Sequence, residues 1–372
     1  MIKVFEAFAG VGTQTMALKR IGIDYEVVGI SEIDKFALKS YEQIHGKVNN
    51  FGDISKIDSD SLPDFDLFTY SFPCQDISMA GKQAGFDKDS GTRSSLLWEC
   101  ERIIKNKKPK YLLMENVKAL TFKKNIEGFN TWLKTLEDIG YKNYWKVLNA
   151  KDYGIPQNRE RVFCVSILGD EEYKFPEKQI LKTRLKDVLE EIVDEKYYLS
   201  NDRVRQLIKI IKDDDVIVEP KIIQTHKLKS KRVNPNRFRV YSPEGIGPTL
   251  LANAGGGTPP CIRIKNGTKK GYLKAYPGDG IDLINPNCKN RRGRVQKDSI
   301  QTLTCGDNRG VVADDLRIRK LTPLECWRLM GIDDEDFYKA KKVNSNSQLY
   351  KQAGNAIVVD VLAAIFMQLF KR

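Results

Sequence analysis

Short apolar runs alternate with amphipathic stretches through the first half of the chain. Ile2 to Ala7 reads as a buried strand, interrupted by Glu6. The glycine turn Phe8-Ala9-Gly10-Val11-Gly12-Thr13 follows at once, and Thr15 to Ile21 has helical character. Glu26 to Ile30 predicts a second strand that ends at Ser31-Glu32-Ile33-Asp34, with a helix from about Lys35 to Ile44. Leu67 to Tyr70 has the size of one buried strand, Ser95 to Lys105 has helical spacing, and Lys110 to Met114 is the next strand. Phe129 to Ile139 reads as a helix, and Tyr144 to Leu148 and Val162 to Ile167 read as strands. Strands alternating with helices argue for an α/β domain, whose ligands bind at the carboxyl ends of the strands.

After Gly169 the pattern changes. Leu185 to Ile192 and Asp202 to Ile211 are acidic and read as bridging helices. Beyond Lys221 helical period disappears, and glycine, proline and basic residues take over. Two stretches echo one another there. Arg239-Val240 leads through a turn to Ile246 and Thr249-Leu250, and Arg294-Val295 leads to Ile300 and Thr302-Leu303. They predict two similar β-units presenting loops to one ligand. Thr322 to Met330 reads as a helix with Thr322 as N-cap and Pro323 in its first position. Gly354-Asn355-Ala356 is expected to open a last apolar helix, Ile357 to Leu369, packed back on the first domain.

Composition narrows the classes. The 372 residues, 41% hydrophobic and 30% charged, suit two globular domains. No secretory signal fits the amino end, and no apolar stretch is expected to span a bilayer. The seven cysteines are odd in number and include no Cys-x-x-Cys pair, which argues against a disulfide framework or zinc site and for a reducing cytoplasm. Two histidines, without partner ligands or nucleophiles nearby in sequence, argue against a histidine triad or metal centre. Residues 221–310 carry 18 Lys and Arg against 5 Asp and Glu, and the remainder is balanced. One basic segment on a neutral body is the footprint of a polyanion binder.

Candidate chemistry gathers at strand ends. Cys74, in Ser71-Phe72-Pro73-Cys74-Gln75-Asp76, stands where the Leu67 strand gives way to the Gly/Lys-rich stretch Met79 to Ser95, read as a loop that closes over something. Glu115 ends the next strand. Alternation puts Gln157, Arg159 and Arg161 on one side of an extended segment, a side expected to face a cleft. The glycine turn lacks the third glycine of the dinucleotide fingerprint but can still bring backbone N–H groups to a cofactor. Glu32 can accept from ribose hydroxyls or, like Asp34 and Ser31, cap the helix. Asp53 could take an exocyclic amine while Ile54 covers the ring face.

In order and spacing these motifs resemble the bacterial and phage DNA (cytosine-5) methyltransferases almost end to end: Phe8 to Gly12, Glu32, Gly52-Asp53-Ile54, Pro73-Cys74-Gln75, Glu115-Asn116-Val117, Gln157-x-Arg159-x-Arg161, the Arg319 to Gly331 block and Gly354-Asn355-Ala356. The resemblance implies a Rossmann-like α/β sheet with helices on both faces that binds S-adenosyl-L-methionine, spanning residues 1–185. It implies a smaller, mostly β target-recognition domain over 186–345, and a C-terminal segment, 346–372, returning to the first domain. It implies cofactor contacts from Phe8, Ala9, Gly10, Gly12, Thr13, Glu32, Ile33, Asp53, Ile54, Pro73, Asn355 and Ala356. Ile33 stands where the family often carries Trp. Catalysis falls to Cys74, Glu115, Arg159, Arg161 and Gln157. Candidate DNA contacts are Gln75, Ser78, Lys82, Arg93, Arg237, Arg239, Thr249, Leu250, Arg294 and Thr302. Of the two Thr-Leu units, Thr249-Leu250 with its following glycines matches the family's single signature better, while Thr302-Leu303 is nearer the following helix.

The chemistry accounts for the residue types. The C5 carbon of cytosine is a poor nucleophile until a thiolate adds at C6, and cysteine can both add and leave. A carboxyl on the N3/N4 edge must be partly protonated, so a raised pKa is expected for Glu115. Arg161 suits the ring O2, and Arg159 suits orienting its neighbours. A base within a duplex must be flipped out to reach such a site. Double-stranded DNA is thus the expected partner of a monomeric, cytoplasmic, nucleoid-associated enzyme that needs no metal, with any cognate restriction endonuclease acting separately. The competing readings are an RNA cytosine methyltransferase and a catalytically silent DNA-binding protein. A nicotinamide oxidoreductase rests on the glycine turn alone.

Overall fold

The computed structural model describes residues 1–73, 77, 93–207, 224–227, 239–241, 261–286, 288 and 290–371; of 93, 205, 224–227 and 239–241 it describes the backbone only. The chain forms two compact units, Met1–Lys182 with Cys326–Arg372, and Thr183–Glu325.

The first unit begins β1 (Ile2–Ala7), α1 (Thr13–Arg20), β2 (Tyr25–Ser31), α2 (Lys35–His45) and β3 (Leu67–Tyr70). It continues α3 (Leu97–Lys107), β4 (Tyr111–Val117), α4 (Ile126–Ile139), β5 (Tyr141–Asn149), β6 (Gln157–Asn158) and β7 (Glu160–Leu168). Six strands make one sheet in the order β2-β1-β3-β4-β7-β5. β2, β1, β3 and β4 run parallel, and β7 and β5 add antiparallel to the β4 edge. This is the α/β sheet expected, and the order reverses direction between β1 and β3, where such sheets bind ligands. β3 is buried at all four positions, which is why it reads as an unbroken apolar run. Phe5, Phe68, Tyr70, Leu112 and Met114 pack on one face against Leu97, Cys100, Ile103 and Ile104 of α3 and Phe129, Trp132 and Leu136 of α4. The opposite face of β1 carries Glu6, which meets Thr15 of α1 and Tyr41 of α2.

The second unit starts with α5 (Asn201–Leu207) and then holds short strands: β8 (Gln224–Lys227), β9 (Arg239–Tyr241), β10 (Ile262–Lys265), β11 (Tyr272–Ala275), β12 (Gly280–Asp282), β13 (Val295–Gln296), β14 (Ile300–Gln301), β15 (Arg309–Val312) and β16 (Ile318–Lys320). β13-β12-β15-β16 form an antiparallel sheet, and Ile262, Ile264, Ile281, Leu283, Val312 and Ile318 share a core with Leu207. The helix expected over Leu185 to Ile192 is a single turn, Leu185–Val188. Only Leu185 of that turn is buried, so no apolar stripe exists to extend it.

The boundary between units falls inside α6 (Pro323–Arg328), followed by α7 (Asp334–Lys341), α8 (Asn346–Asn355) and α9 (Val359–Phe370). Thr322 caps α6 as expected: the Glu325 N–H donates to Thr322 Oγ1 (3.2 Å) and the Thr322 N–H to Glu325 Oε2 (2.8 Å). Gly354-Asn355-Ala356 does not open the last helix. It closes α8, with Ala356 extended before α9 begins. The run Asn346–Phe370 is, against expectation, long and apolar enough to cross a membrane by length and composition. Its most apolar window is 61% buried within the protein, with α9 packed on α1, as in a core helix.

Candidate active site

The carboxyl ends of β1 to β4 define one edge of the sheet. The pairing of Tyr70 with Met114 puts Ser71 level with Glu115, just beyond β3. Glu115 is 8% exposed, and its Oε1 lies 3.1 Å from Arg161 Nε. Arg161 opens β7 opposite Val117, so the antiparallel turn of topology delivers its guanidinium to the same edge. Burial raises the Glu115 pKa above the usual carboxylate range; Arg161, Arg159 and a hydrogen bond from Ser71 pull the other way without cancelling it.

The chain leaving β3 is tied to this acid's surroundings. Asn116 Nδ2 donates to the Phe72 carbonyl (3.0 Å), and Ser94 Oγ donates to the Pro73 carbonyl (2.6 Å). Cys74 and the DNA candidates Gln75, Ser78 and Lys82 lie outside the described residues, as does most of the expected loop. Cys100 and Cys164 are fully buried, and burial pushes the Cys164 thiol up to about 12 and the Cys100 thiol up as well. Neither is a nucleophile.

At the β1 end, Phe8, Gly10 and Gly12 all have left-handed backbone (φ 55, 60 and 77). A side chain at Gly12 would come within 2.5 Å of His45 Nε2, whereas nothing lies within 4 Å of one at Gly10. The turn is therefore packed behind Gly12 and open in front of Gly10. Ala9 and Thr13 are buried. The Gly10 N–H donates to Glu32 Oε2 (2.8 Å) and the Asp34 N–H to Glu32 Oε1 (2.7 Å). Asp34 meanwhile caps α2 through Phe36 and Ala37, so the cap comes from Asp34 and not from Glu32. Burial raises the Glu32 pKa against those two hydrogen bonds. Ile33 is 74% exposed beside Glu32. Asn50, which sequence reasoning missed, accepts the N–H groups of Glu32 and Gly52 and fixes the two acidic loops together. Asp53 accepts from Ser55, which lowers its pKa.

Behind the turn lies a second group that was missed. Glu6 accepts from Thr15 Oγ1 (2.8 Å) and Tyr41 OH (2.9 Å), and burial pushes its pKa up to about 7 against those bonds. The His45 ring packs against Tyr41 at a tilt of 51° and reaches the Val11 carbonyl (3.0 Å). The one signal for it was an acid inside an apolar strand.

Other expectations are corrected. Gln157 does not face a cleft: it is fully buried and donates to the Leu329 carbonyl (2.7 Å). Arg159, 4% exposed, donates to the carbonyls of Gly354 (3.0 Å) and Ala356 (2.8 Å). It holds the segment carrying Asn355, which is exposed, and Ala356, which is buried. Ile54 is 2% exposed in the core rather than open to a ring face. Arg294 is no DNA contact: it is fully buried and donates to the carbonyls of Ile284 (3.0 Å) and Asn285 (2.6 Å). Thr302, half-buried, accepts at its carbonyl from Arg309 Nε. Arg237, Thr249 and Leu250 lie outside the described residues, and of Arg93 and Arg239 only the backbone is described.

A sequence profile for C-5 cytosine-specific DNA methylases matches residues 2–371. The chain belongs to that family. It is a DNA (cytosine-5) methyltransferase. It is 41% identical to the type II methyltransferase M2.ScrFI of Lactococcus lactis subsp. cremoris, covering 100% of this chain and 99% of that protein. It is 34% identical to the orphan methyltransferase M.SPBetaI of Bacillus phage SPbeta (99% and 97% covered) and 33% identical to the type II methyltransferase M.HhaI of Haemophilus parahaemolyticus (98% and 93%). The crystal structure of the S. pombe Dnmt2 methyltransferase shares the fold, with a TM-score of 0.59 at 19% identity, covering 100% of this chain and 99% of that one. The methyltransferase carries Glu115, Arg161 and the Gly10 turn along the carboxyl edge of its sheet.

Proposed function

We propose that this methyltransferase transfers a methyl group from S-adenosyl-L-methionine to C5 of a flipped-out cytosine in a specific duplex DNA sequence, through a covalent Cys74–C6 adduct. The reading rests on Glu115, a buried carboxyl with raised pKa, paired with Arg161 and level with the residue three before Cys74. The space in front of Gly10, the acid Glu32 beneath it and the exposed Ile33 beside it fit a nucleoside-type cofactor. When bound, that cofactor supplies an electrophilic methyl group on sulfur. Phe8, Gly10, Glu32, Ile33, Asp53, Pro73 and Asn355 are the residues assigned to hold it.

The Cys74 thiolate adds to C6, and the Glu115 carboxyl shares its proton with N3, so charge does not build up on the ring. Arg161 both balances Glu115 and offers N–H groups to O2. Once C5 carries the methyl group, loss of its proton to a base returns the electron pair that expels Cys74 as the thiolate. We assign catalysis and cofactor binding to the first unit and target recognition to the second, whose Lys and Arg supply phosphate affinity while a few side chains read base edges. The enzyme acts as a monomer in the cytoplasm, and any cognate endonuclease is a separate protein.

Incubation with cofactor and a duplex carrying 5-fluorocytosine at the target position tests this. The fluorine blocks the proton loss, so a denaturation-resistant protein–DNA complex accumulates. Cys74→Ser forms none while keeping DNA affinity within about twofold. A wild-type enzyme that methylates ordinary DNA yet leaves no such complex overturns the mechanism.

A further inference from the structure

We infer that Ser94 is a positioning residue for the nucleophile: its hydroxyl fixes the peptide that leads into Cys74. The inference rests on Cys74 as the attacking group. β3 ends at Tyr70. Among the described residues, each of the next three takes part in a side-chain hydrogen bond. Ser71 bonds to Glu115, the Phe72 carbonyl accepts from Asn116 Nδ2 (3.0 Å), and the Pro73 carbonyl accepts from Ser94 Oγ (2.6 Å).

The third tie is the informative one. Proline has no N–H, so its carbonyl is the one backbone group by which Pro73 can be held. That carbonyl carbon is bonded to the Cys74 nitrogen, and the peptide is planar, so its direction sets the plane from which Cys74 departs. Ser94 comes from 21 residues further along the chain and is fully buried. It stands in the turn Arg93–Leu96 that runs into α3, whose Leu97 and Cys100 are packed in the core. The hydroxyl is therefore held on a buried residue that leads into a core helix, while Pro73 itself is half-buried. Without the hydroxyl, the Pro73–Cys74 peptide loses this tie, and the step in which Cys74 bonds to the base slows.

Ser94 then acts on the step in which Cys74 bonds to the base and not on DNA affinity. The experiment measures the rate of covalent trapping on 5-fluorocytosine duplex, the DNA Kd and the Tm for wild type, Ser94→Ala and Ser94→Thr. Ser94→Ala is expected to trap about tenfold to a hundredfold more slowly, the scale of a displacement near 1 Å at a reacting group, with the DNA Kd within twofold. Ser94→Thr, which keeps the hydroxyl, recovers most of the rate. Ser94→Ala trapping within twofold of wild type overturns the inference, as does a DNA Kd weakened by the same factor as the rate. A wild-type enzyme that forms no adduct sinks the Cys74 reading itself, so the two failures are distinguishable.

Discussion

Glu115 carries two requirements that pull in opposite directions. Burial keeps its carboxyl protonated more readily than an exposed acid, while Arg161 at 3.1 Å favours the carboxylate. The net shift is upward, so the acid form persists to higher pH than in water and is lost as pH climbs through the raised value. Glu115→Gln keeps the shape, offers an amide where the proton was, and cannot share it. Its kcat should fall by about 10² to 10⁴, the usual range for a lost acid–base group. The alkaline limb of the wild-type kcat profile should be absent in the variant. Persistence of that limb would assign it to another group. Residues of this kind were legible in the sequence because they end apolar runs. Alternation suggested that Gln157 and Arg159 face a cleft, and the basic segment suggested that Arg294 meets DNA, but all three bond to main-chain carbonyls. For Gln157 and Arg159 those carbonyls lie 172 and 195 residues away, and no local pattern could announce them.

The glycine turn shows what an element adds to its residues. Gly10 and Gly12 share left-handed backbone, yet they differ in surroundings: open space in front of one, and Tyr41 and His45 packed against the other. Gly10→Ala should cost about 1 to 2 kcal/mol of stability, the left-handed penalty alone, and should weaken cofactor binding far more than it weakens the fold. Gly12→Ala carries the same penalty plus a clash at 2.5 Å with His45, and should lower Tm well below the Gly10 variant. Calorimetric unfolding and cofactor titration on the pair separate the two roles; equal Tm losses would mean the turn is uniformly packed. The strands around this turn were readable because buried parallel strands are continuous apolar runs, and the predicted Ile2 to Ala7 and Leu67 to Tyr70 match the observed bounds. α7 and α8 were missed. α7 buries only Phe337 and Ala340, and α8 only Leu349, Tyr350, Gln352 and Ala353, too little apolar surface to show a period.

At the scale of the whole molecule, the charge imbalance concentrated in residues 221–310 overstates the number of groups free to meet DNA. Asp282, 1% exposed at its side chain, pairs with Arg291 (Nε 2.7 Å) and Arg309 (Nη1 2.9 Å). Arg294 is enclosed among carbonyls of the loop that follows Asp282. Three of the arginines that suggested a polyanion binder thus build the second unit from within. Arg292, two residues from Arg294, is exposed. The two make a controlled comparison. Each phosphate contact contributes about 0.9 to the slope of log Kd against log salt. Arg292→Ala should reduce that slope by about one contact at unchanged stability. Arg294→Ala should leave the slope of the folded protein unchanged and lower unfolding free energy by roughly 3 kcal/mol, since several buried carbonyls lose their donor together. Titrations at four salt concentrations, with urea unfolding of the same variants, decide it. A slope change for Arg294 with no stability loss would return that residue to the DNA surface and reverse the account of how this unit is held.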